Sequence, residues 1–322
     1  MALKEKIEFY KKRQFGEKLN MVIVFLRQNA GPFVKTQVFI TGPVLLLVNF
    51  LMVSGQQDIF DFQLIADDPE GFLSSMLDTY GVAFLISIVS ASLLPTVCYN
   101  FMKSYQSAPL GEISIASISR ATMQKIPAVL LYTILMMVIM MGTFIFIASV
   151  GASMGVMGVV LFMFIGFAVF CYLVSFLVLG TSIIIFEDLN PLAAIPRAFK
   201  LSKGKRLSTL GLIVVTIIIA MLINSVFNLP QIVAMGVWAF NSVDEVSNGG
   251  ILPDPPMYGQ IVNVIFAVLS TFGTLIAYSV IYLALAFQYF NLVERQESRG
   301  LLSEIENLET QGDLSEDEGE DY

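Results

Sequence analysis

The residues that could carry chemistry in this chain are few in type and unevenly placed. The sequence has 18 lysines and arginines and 26 aspartates and glutamates, but no histidine. No imidazole is therefore present for acid–base catalysis near neutral pH or for binding zinc or haem. The P-loop and G-x-G-x-x-G patterns are also absent from the sequence. Its one match to G-x-S-x-G, GASMG at 151–155, is interpreted as a small-residue turn between two spans and not as a nucleophile elbow. We therefore expect a protein that is not an enzyme, with no catalytic residues, no cofactor and no metal-ligand set.

Nine of the 26 acidic residues lie in two stretches, 55–79 and 229–258, that contain no basic residue. Within the first stretch, the run DDPE at 67–70 has the clustered carboxylates that Ca²⁺ and Mg²⁺ prefer. No EF-hand spacing accompanies it. The favoured interpretation is a solvated acidic loop, and cation binding remains the alternative.

The basic residues are sorted just as strongly, because every one lies in residues 1–35, 102–126, 197–206 or 295–299. The densest group is that of 197–206. Lysine and arginine at a membrane surface attract anionic lipid with about 1 kcal/mol each. The candidates for contact with an anionic lipid or a partner are Arg197, Lys200, Lys203, Lys205, Arg206, Arg120 and Lys125. For most of them, the favoured interpretation is that they only set the orientation of the chain.

Composition predicts the elements that position these charges. The chain is 56% hydrophobic and 14% charged, which is too apolar for a soluble domain of 322 residues. Crossing a bilayer takes about 20 apolar residues. Six stretches meet this requirement, and they predict an all-α, polytopic membrane protein. The predicted spans are 37–54, 80–101, 127–149, 156–182, 207–228 and 260–288.

The charge distribution also predicts which way the spans run. Loops rich in lysine and arginine stay in the cytoplasm. The basic segments alternate with the three base-free loops 55–79, 150–155 and 229–258. We therefore expect both termini in the cytoplasm and those three loops outside. The start of the chain, MALKEKIEFYKKRQFGEK, lacks the short apolar core of a cleavable signal peptide.

A repeated plan is expected within the six spans. Asn190 followed by Pro191 is a good helix start, and Gly204 is a good helix stop. Between them lies a basic amphipathic helix that is typical of a membrane interface. Similar segments at 16–32 and 111–127 precede the first and third spans. The sequence thus predicts three hairpins, each preceded by a cytoplasmic interfacial helix. It also predicts a break or kink at Pro230 and a short outer-surface helix at about 231–241.

The turn at Glu187, Asp188, Asn190 and Pro191, followed by IPRAFKLSKGK, supports a family resemblance. It resembles the signature of bacterial six-span proteins related to the glycerophosphoryl diester phosphodiesterase membrane domain. The motif covers about 186–206, while the span count agrees along most of the chain. The resemblance implies a multi-pass protein of the bacterial inner membrane that works beside partner subunits. It implies no activity, because it concerns the membrane part alone.

The chain after the sixth span changes character. We divide the protein into a cytoplasmic segment 1–36, a membrane domain 37–291 and a cytoplasmic tail 292–322. In the tail, Leu301, Leu302, Ile305 and Leu308 form the apolar stripe of a short amphipathic helix, and 311–322 is acidic and without expected structure. The tail either covers the chain's own basic segments or docks onto a basic partner.

Two functions fit these features. The polar residues inside the spans, such as Asn49, Thr96 and Asn263, are uncharged. Hydrogen bonding between helices explains them at least as well as a substrate path. The first hypothesis is a non-enzymatic subunit or scaffold of an inner-membrane complex, with membrane lipids and other integral membrane proteins as partners and no nucleic acid. The alternative is a transporter or lipid-handling protein with a path between the hairpins.

Overall fold

The computed structural model describes residues 6–54, 69–107, 113–241 and 257–302, together with Val243 and Ile305. Every regular element in these ranges is an α-helix, which confirms the predicted all-α class. The helices are α1 (Phe15–Ile40), α2 (Gly42–Ser54), α3 (Pro69–Ser107), α4 (Ile115–Ser153), α5 (Gly155–Leu177), α6 (Gly180–Phe186), α7 (Pro191–Leu201), α8 (Arg206–Asn241) and α9 (Met257–Glu297).

The helices have the lengths and composition of a multi-pass membrane protein. Within the described ranges, five helical stretches are long and apolar enough to cross a bilayer, and the pair α1–α2 qualifies together as a sixth. The predicted spans from the second to the fifth fall within these stretches, and the sixth, 260–288, overlaps the last stretch from residue 264 onward. The five are Glu70–Ser107, Ile115–Ser153, Gly155–Phe186, Arg206–Trp238 and Val264–Glu297.

The region of the first predicted span contains a bend of 56° between α1 and α2. Pro43 lies at the second position of α2. It has no N–H to donate to the carbonyl of Phe39, and its ring crowds that carbonyl. Thr41 links the two helices, because its N–H donates to the Gln37 carbonyl at 2.8 Å and its own carbonyl accepts from Leu45 at 3.1 Å. The break between the two helices thus lies at Thr41, within the predicted span 37–54.

Two other boundaries also differ from the sequence-based expectation. The segment 111–127 is not a separate helix, since α4 continues from Ile115 through Pro127 to Ser153. No break occurs at Pro230 either, because α8 continues through this proline to Asn241, and 231–241 is not a separate helix. In hydrocarbon, ending a helix exposes more backbone groups than a proline removes, so prolines are tolerated inside spans.

The chain divides into two compact units. The first unit comprises Met1–Asn29, Met140–Ile213 and Leu283–Tyr322. Its centre is aromatic: Phe9 stacks on Phe290 at 5.0 Å between ring centroids, and Phe287 meets Phe9 edge-on at 5.7 Å. Phe186 adds a third contact, 4.7 Å from the Phe290 ring. These rings join the N-terminal segment to the end of α9.

The second unit comprises Ala30–Ile139 and Val214–Tyr282. Its apolar core is formed by Leu45, Leu94 and Leu275, with Val38 and Tyr282 packed against them. Helix α2 packs along α3 in this unit. An open apolar groove of about 500 Å³ lies between these two helices and is lined by Pro43, Val44, Leu47, Leu85, Ile86 and Val89.

Candidate functional site

The candidate site in the first unit is built around α7 and the two turns that border it. Asn190 caps the helix, because its Oδ1 accepts a hydrogen bond from the Ala193 N–H at 2.8 Å. Gly204 ends the following turn in the left-handed conformation, with φ +77°. Both predicted helix signals are therefore confirmed. Helix α7 packs against α5 and α6, which fixes the positions of the charged residues that α7 and the turn after it carry.

Arg197 of α7 lies between two carboxylates. Its Nε and a terminal nitrogen donate to the two oxygens of Glu187 at 2.8 Å each. Its Nη2 also forms an ion pair with Glu297 at 2.5 Å. Tyr289 donates a further hydrogen bond to Glu187 at 2.9 Å, and Arg299 pairs with Glu297 at 2.7 Å. The hydrogen bonds from Arg197 to Glu187 raise the pKa of this guanidinium further above its usual range. Arg197 is thus a structural connection between α7, the turn before it and the end of α9.

A second buried polar cluster joins α1 to the end of α9. The Lys18 side chain, 1% exposed, donates to Gln288 Oε1 at 2.5 Å and to Ser208 Oγ at 3.4 Å. Gln288 in turn donates to Thr209 at 2.9 Å. Nearby, the Arg13 N–H donates to Asn291 at 2.8 Å, and burial lowers the pKa of the Arg13 guanidinium. Each of these groups bonds to helix ends of the same unit, so the cluster holds the helices together.

Arg206, at the start of α8, occupies a different environment from Arg197. Its guanidinium carbon lies 4.3 Å from the centroid of the Phe199 ring, 4.7 Å from Tyr172 and 5.8 Å from Phe176. One terminal nitrogen donates to the Tyr172 hydroxyl at 2.8 Å, and Nε donates to Ser202 Oγ at 3.4 Å. We call Arg206 with these three rings the caged arginine. The rings orient a cation that no carboxylate of the described ranges neutralises.

Three lysines come shortly before the caged arginine in the sequence. Lys200, Lys203 and Lys205 are all exposed. The turn that carries them is fixed by backbone hydrogen bonds from Lys203 to Lys200 at 3.2 Å and from Lys205 to Ser202 at 3.0 Å. Within residues 113–241 and 257–302, the structure shows no ion pair for any of the three. The structure thus separates the basic group of 197–206 into a paired Arg197 and unpaired cations.

The remaining candidates from the sequence lie elsewhere. Arg120 is exposed and Lys125 half-buried, both on the part of α4 that belongs to the second unit. Of the tail stripe, Leu301, Leu302 and Ile305 are exposed. Leu308 lies outside the described residues, as do Asp67, Asp68 and the acidic stretch 311–322.

Sequence reasoning did not predict these groupings. Glu187 drew attention as part of a helix start, and its partner Arg197 is ten residues away. Tyr172 and Arg206 are separated by 34 residues, and no pattern relates them. Glu297 and Tyr289 lie in another span altogether. Aromatic and acidic residues near the ends of several predicted spans are the only signal that could have pointed to them.

Polar side chains in the spans of the second unit pair with one another. Asn49 donates to Thr271 at 2.7 Å, which joins α2 to α9. Ser92 donates to Thr133 at 3.0 Å, which joins α3 to α4. Gln37 binds Thr41 through its oxygen at 2.9 Å and approaches the Cys98 sulfur through its nitrogen at 2.8 Å. Such pairs are typical hydrogen bonds between membrane helices.

The chain matches no protein-family model, no curated protein and no solved structure. The sequence and the geometry of the described residues therefore carry the argument about function. They define the class as a multi-pass, all-helical membrane protein.

Proposed function

We propose that this protein is a non-enzymatic subunit or scaffold of a protein complex in the bacterial inner membrane. In this proposal six crossings form three hairpins, each preceded by a cytoplasmic interfacial segment, and both termini are cytoplasmic. The sorting of basic residues supports the orientation. The resemblance of residues 186–206 to bacterial six-span membrane proteins supports the location.

The uncovered surface of α4 and α5 carries the proposal. The most apolar 18-residue stretch of α4 is 6% buried within the chain, and that of the helix Gly155–Phe186 is 11% buried. The corresponding stretch of α3 is 50% buried. Large apolar side chains such as Phe144, Phe146, Phe164 and Phe167 are exposed along these two helices. Membrane helices associate through van der Waals packing and not through hydrophobic burial, and these two helices have little such packing within the chain. We therefore assign α4 and α5 to contact with another integral membrane protein.

The internal polar groups favour a scaffold over a transport route. A route for a polar substrate needs polar side chains that are free to bind it. Asn49 and Thr271 are bonded to each other, and Thr96 donates to the Ser92 carbonyl at 2.6 Å. The groove between α2 and α3 is lined by apolar residues. Asn49 and Thr271 thus hold two helices together, and the Thr96 hydroxyl is bonded within its own helix.

Site-specific photocrosslinking in native membranes tests the proposal. A photoreactive phenylalanine analogue replaces Phe144 or Phe164, and the matched control carries it at Phe39, which is equally exposed on α1. We expect the same membrane protein to be captured from both positions and not from Phe39. In mild detergent, that protein should co-purify with the unlabelled chain. Lipid adducts alone from α4 and α5, with a clean monomer in mild detergent, would refute the proposal.

The alternative function is lipid handling or transport, and one feature favours it. The caged arginine and its exposed lysines form a cationic surface beside apolar side chains, which suits a phospholipid. A lipid-handling protein would move lipid between leaflets, whereas a scaffold would only bind it. Reconstituted vesicles with fluorescent phospholipid distinguish the two, because only a lipid-handling protein accelerates exchange between leaflets.

A further inference from the structure

The cations near the start of α8 differ in how far they are neutralised. Arg197 is bound on two sides by Glu187 and Glu297. Arg206, nine positions later, has no carboxylate partner in residues 113–241 and 257–302. A guanidinium has five N–H donors. Tyr172 and Ser202 accept two of those of Arg206, so the others remain available to an anion.

The three rings orient the Arg206 guanidinium for binding an anion. Its guanidinium stacks on Phe199 at 4.3 Å and on Tyr172 at 4.7 Å. Stacking on rings and the hydrogen bond to the Tyr172 hydroxyl hold the planar group in one orientation before any ligand arrives. Less conformational freedom is then lost on binding. A planar guanidinium held in this way binds a phosphate through two parallel hydrogen bonds.

The surroundings of Arg206 match a phospholipid more closely than a free ion. Lys203 and Lys205 add exposed positive charge on one side. Leu207, directly after Arg206, is 84% exposed, and Phe199 and Leu192 are exposed apolar residues of α7. A free phosphate would gain nothing from these apolar side chains, whereas acyl chains would cover them.

The position along the spans is consistent with a headgroup. Arg206 is the first residue of the candidate span Arg206–Trp238. Tyr172 lies 17 residues after Gly155, the start of another candidate span, or about 26 Å along the helix axis at 1.5 Å per residue. If a hydrocarbon core of about 30 Å begins at Gly155, Tyr172 lies near its other edge. Arginine and tyrosine are typical of this depth.

We propose that the caged arginine, together with Lys203 and Lys205, binds the phosphate of an anionic phospholipid headgroup. Arg206 supplies the paired hydrogen bonds, the lysines supply long-range attraction, and Leu207 and Phe199 contact the acyl chains. This proposal does not depend on the scaffold function, since a lipid bound here serves a subunit and a lipid-handling protein alike.

The test uses the full-length protein in mild detergent, titrated with phosphatidylglycerol or phosphatidylcholine and followed by native mass spectrometry. We expect Arg206→Gln to weaken phosphatidylglycerol binding about tenfold. Arg206→Lys keeps the charge but loses the planar donor pair and much of the stacking, and it should weaken binding about threefold. The double variant Lys203→Gln/Lys205→Gln should also lose about tenfold.

Two further variants separate a built site from general charge. Arg120→Gln removes an exposed cation from the second unit and should change binding less than about twofold. Tyr172→Phe alters no charge but removes the hydroxyl that holds Arg206, and it should weaken binding about threefold. Size-exclusion profiles and thermal midpoints establish that each variant is folded. If Arg206→Gln is unstable, the exposed lysine pair and Tyr172→Phe carry the test.

Three results would overturn the proposal. The first is equal loss of binding in Arg206→Gln and Arg120→Gln, which indicates unspecific surface charge. The second is equal affinity for phosphatidylglycerol and phosphatidylcholine. The third is displacement of phosphatidylglycerol by inorganic phosphate at millimolar concentration, which would identify a free phosphate as the ligand.

Discussion

The contribution of an arginine or lysine ion pair to the stability of this protein depends on how far the pair is buried. The Arg197–Glu187 pair is largely buried, with side chains 17% and 10% exposed. The Lys11–Glu8 pair is 63% and 60% exposed at a distance of 3.3 Å. Water screens the exposed pair, so it contributes little to stability. Removing one partner of a buried pair leaves a charge without compensation, and this costs far more.

We predict that Arg197→Gln lowers the free energy of unfolding by about 2–3 kcal/mol. It leaves Glu187 and Glu297 with no guanidinium between them, although Arg299 still pairs with Glu297. Detergent-based thermal or denaturant unfolding measures the effect. The matched control, Lys11→Gln, should change the free energy by less than about 0.5 kcal/mol. Similar effects of the two substitutions would show that Arg197 is not a structural connection.

The helices of this protein are shaped by a few glycines and prolines. Pro43 accompanies the 56° bend between α1 and α2, whereas Pro127 and Pro230 lie inside continuous helices. At the start of α5, Gly155 has φ +73°, a conformation that a side chain would strain. Beside it, Gly151 of α4 and Gly158 of α5 meet so closely that a Cβ on Gly158 would lie 2.5 Å from the Gly151 carbonyl oxygen. The close packing of α4 against α5 therefore requires glycine at these positions.

We predict that Gly158→Ala destabilises the contact between α4 and α5 by about 1–3 kcal/mol, because the added methyl group forces the helices apart. Unfolding in mixed detergent micelles provides the measurement. Gly142→Ala is the control in α4, since nothing lies within 4 Å of a Cβ at that position. It should be neutral or slightly stabilising. A tolerated alanine at 158 would contradict the close approach of the two helices.

The number of membrane crossings depends on whether the bent pair α1–α2 crosses the bilayer. Five helical stretches of the described ranges qualify as spans by themselves, and α1–α2 qualifies only as a bent pair. Helix α2 has 13 residues, or about 20 Å of length, which is too short for the hydrocarbon core. If α1–α2 crosses, the termini lie on the same side. If it enters and returns, the crossings number five and the termini lie on opposite sides.

We predict six crossings with both termini in the cytoplasm, because all basic residues then face inward. The experiment labels single cysteines with a membrane-impermeant maleimide in intact spheroplasts, after replacement of Cys98 and Cys171. Cysteines introduced at Lys12 and Leu301 should be protected until the cells are opened. A cysteine at Gln63 should react at once. Labelling of only one of the two termini from outside would rule out the six-span topology.

The sequence by itself determined the class of this protein and much of its outline. Hydropathy located the spans, since crossing hydrocarbon requires a continuous apolar stretch whatever the neighbouring helices are. Local signals also sufficed for Asn190 and Gly204, because caps and left-handed turns depend on residues next to each other in the chain.

Only the tertiary structure decided which charges are paired and which are free. Arg197 and Arg206 look alike in sequence, but one meets Glu187 and Glu297 and the other meets Tyr172 and Phe199. Likewise, Pro43 and Pro230 look alike, but one accompanies a bend and the other does not. The physical reason is that these outcomes depend on groups far apart in the chain, and packing alone brings such groups together.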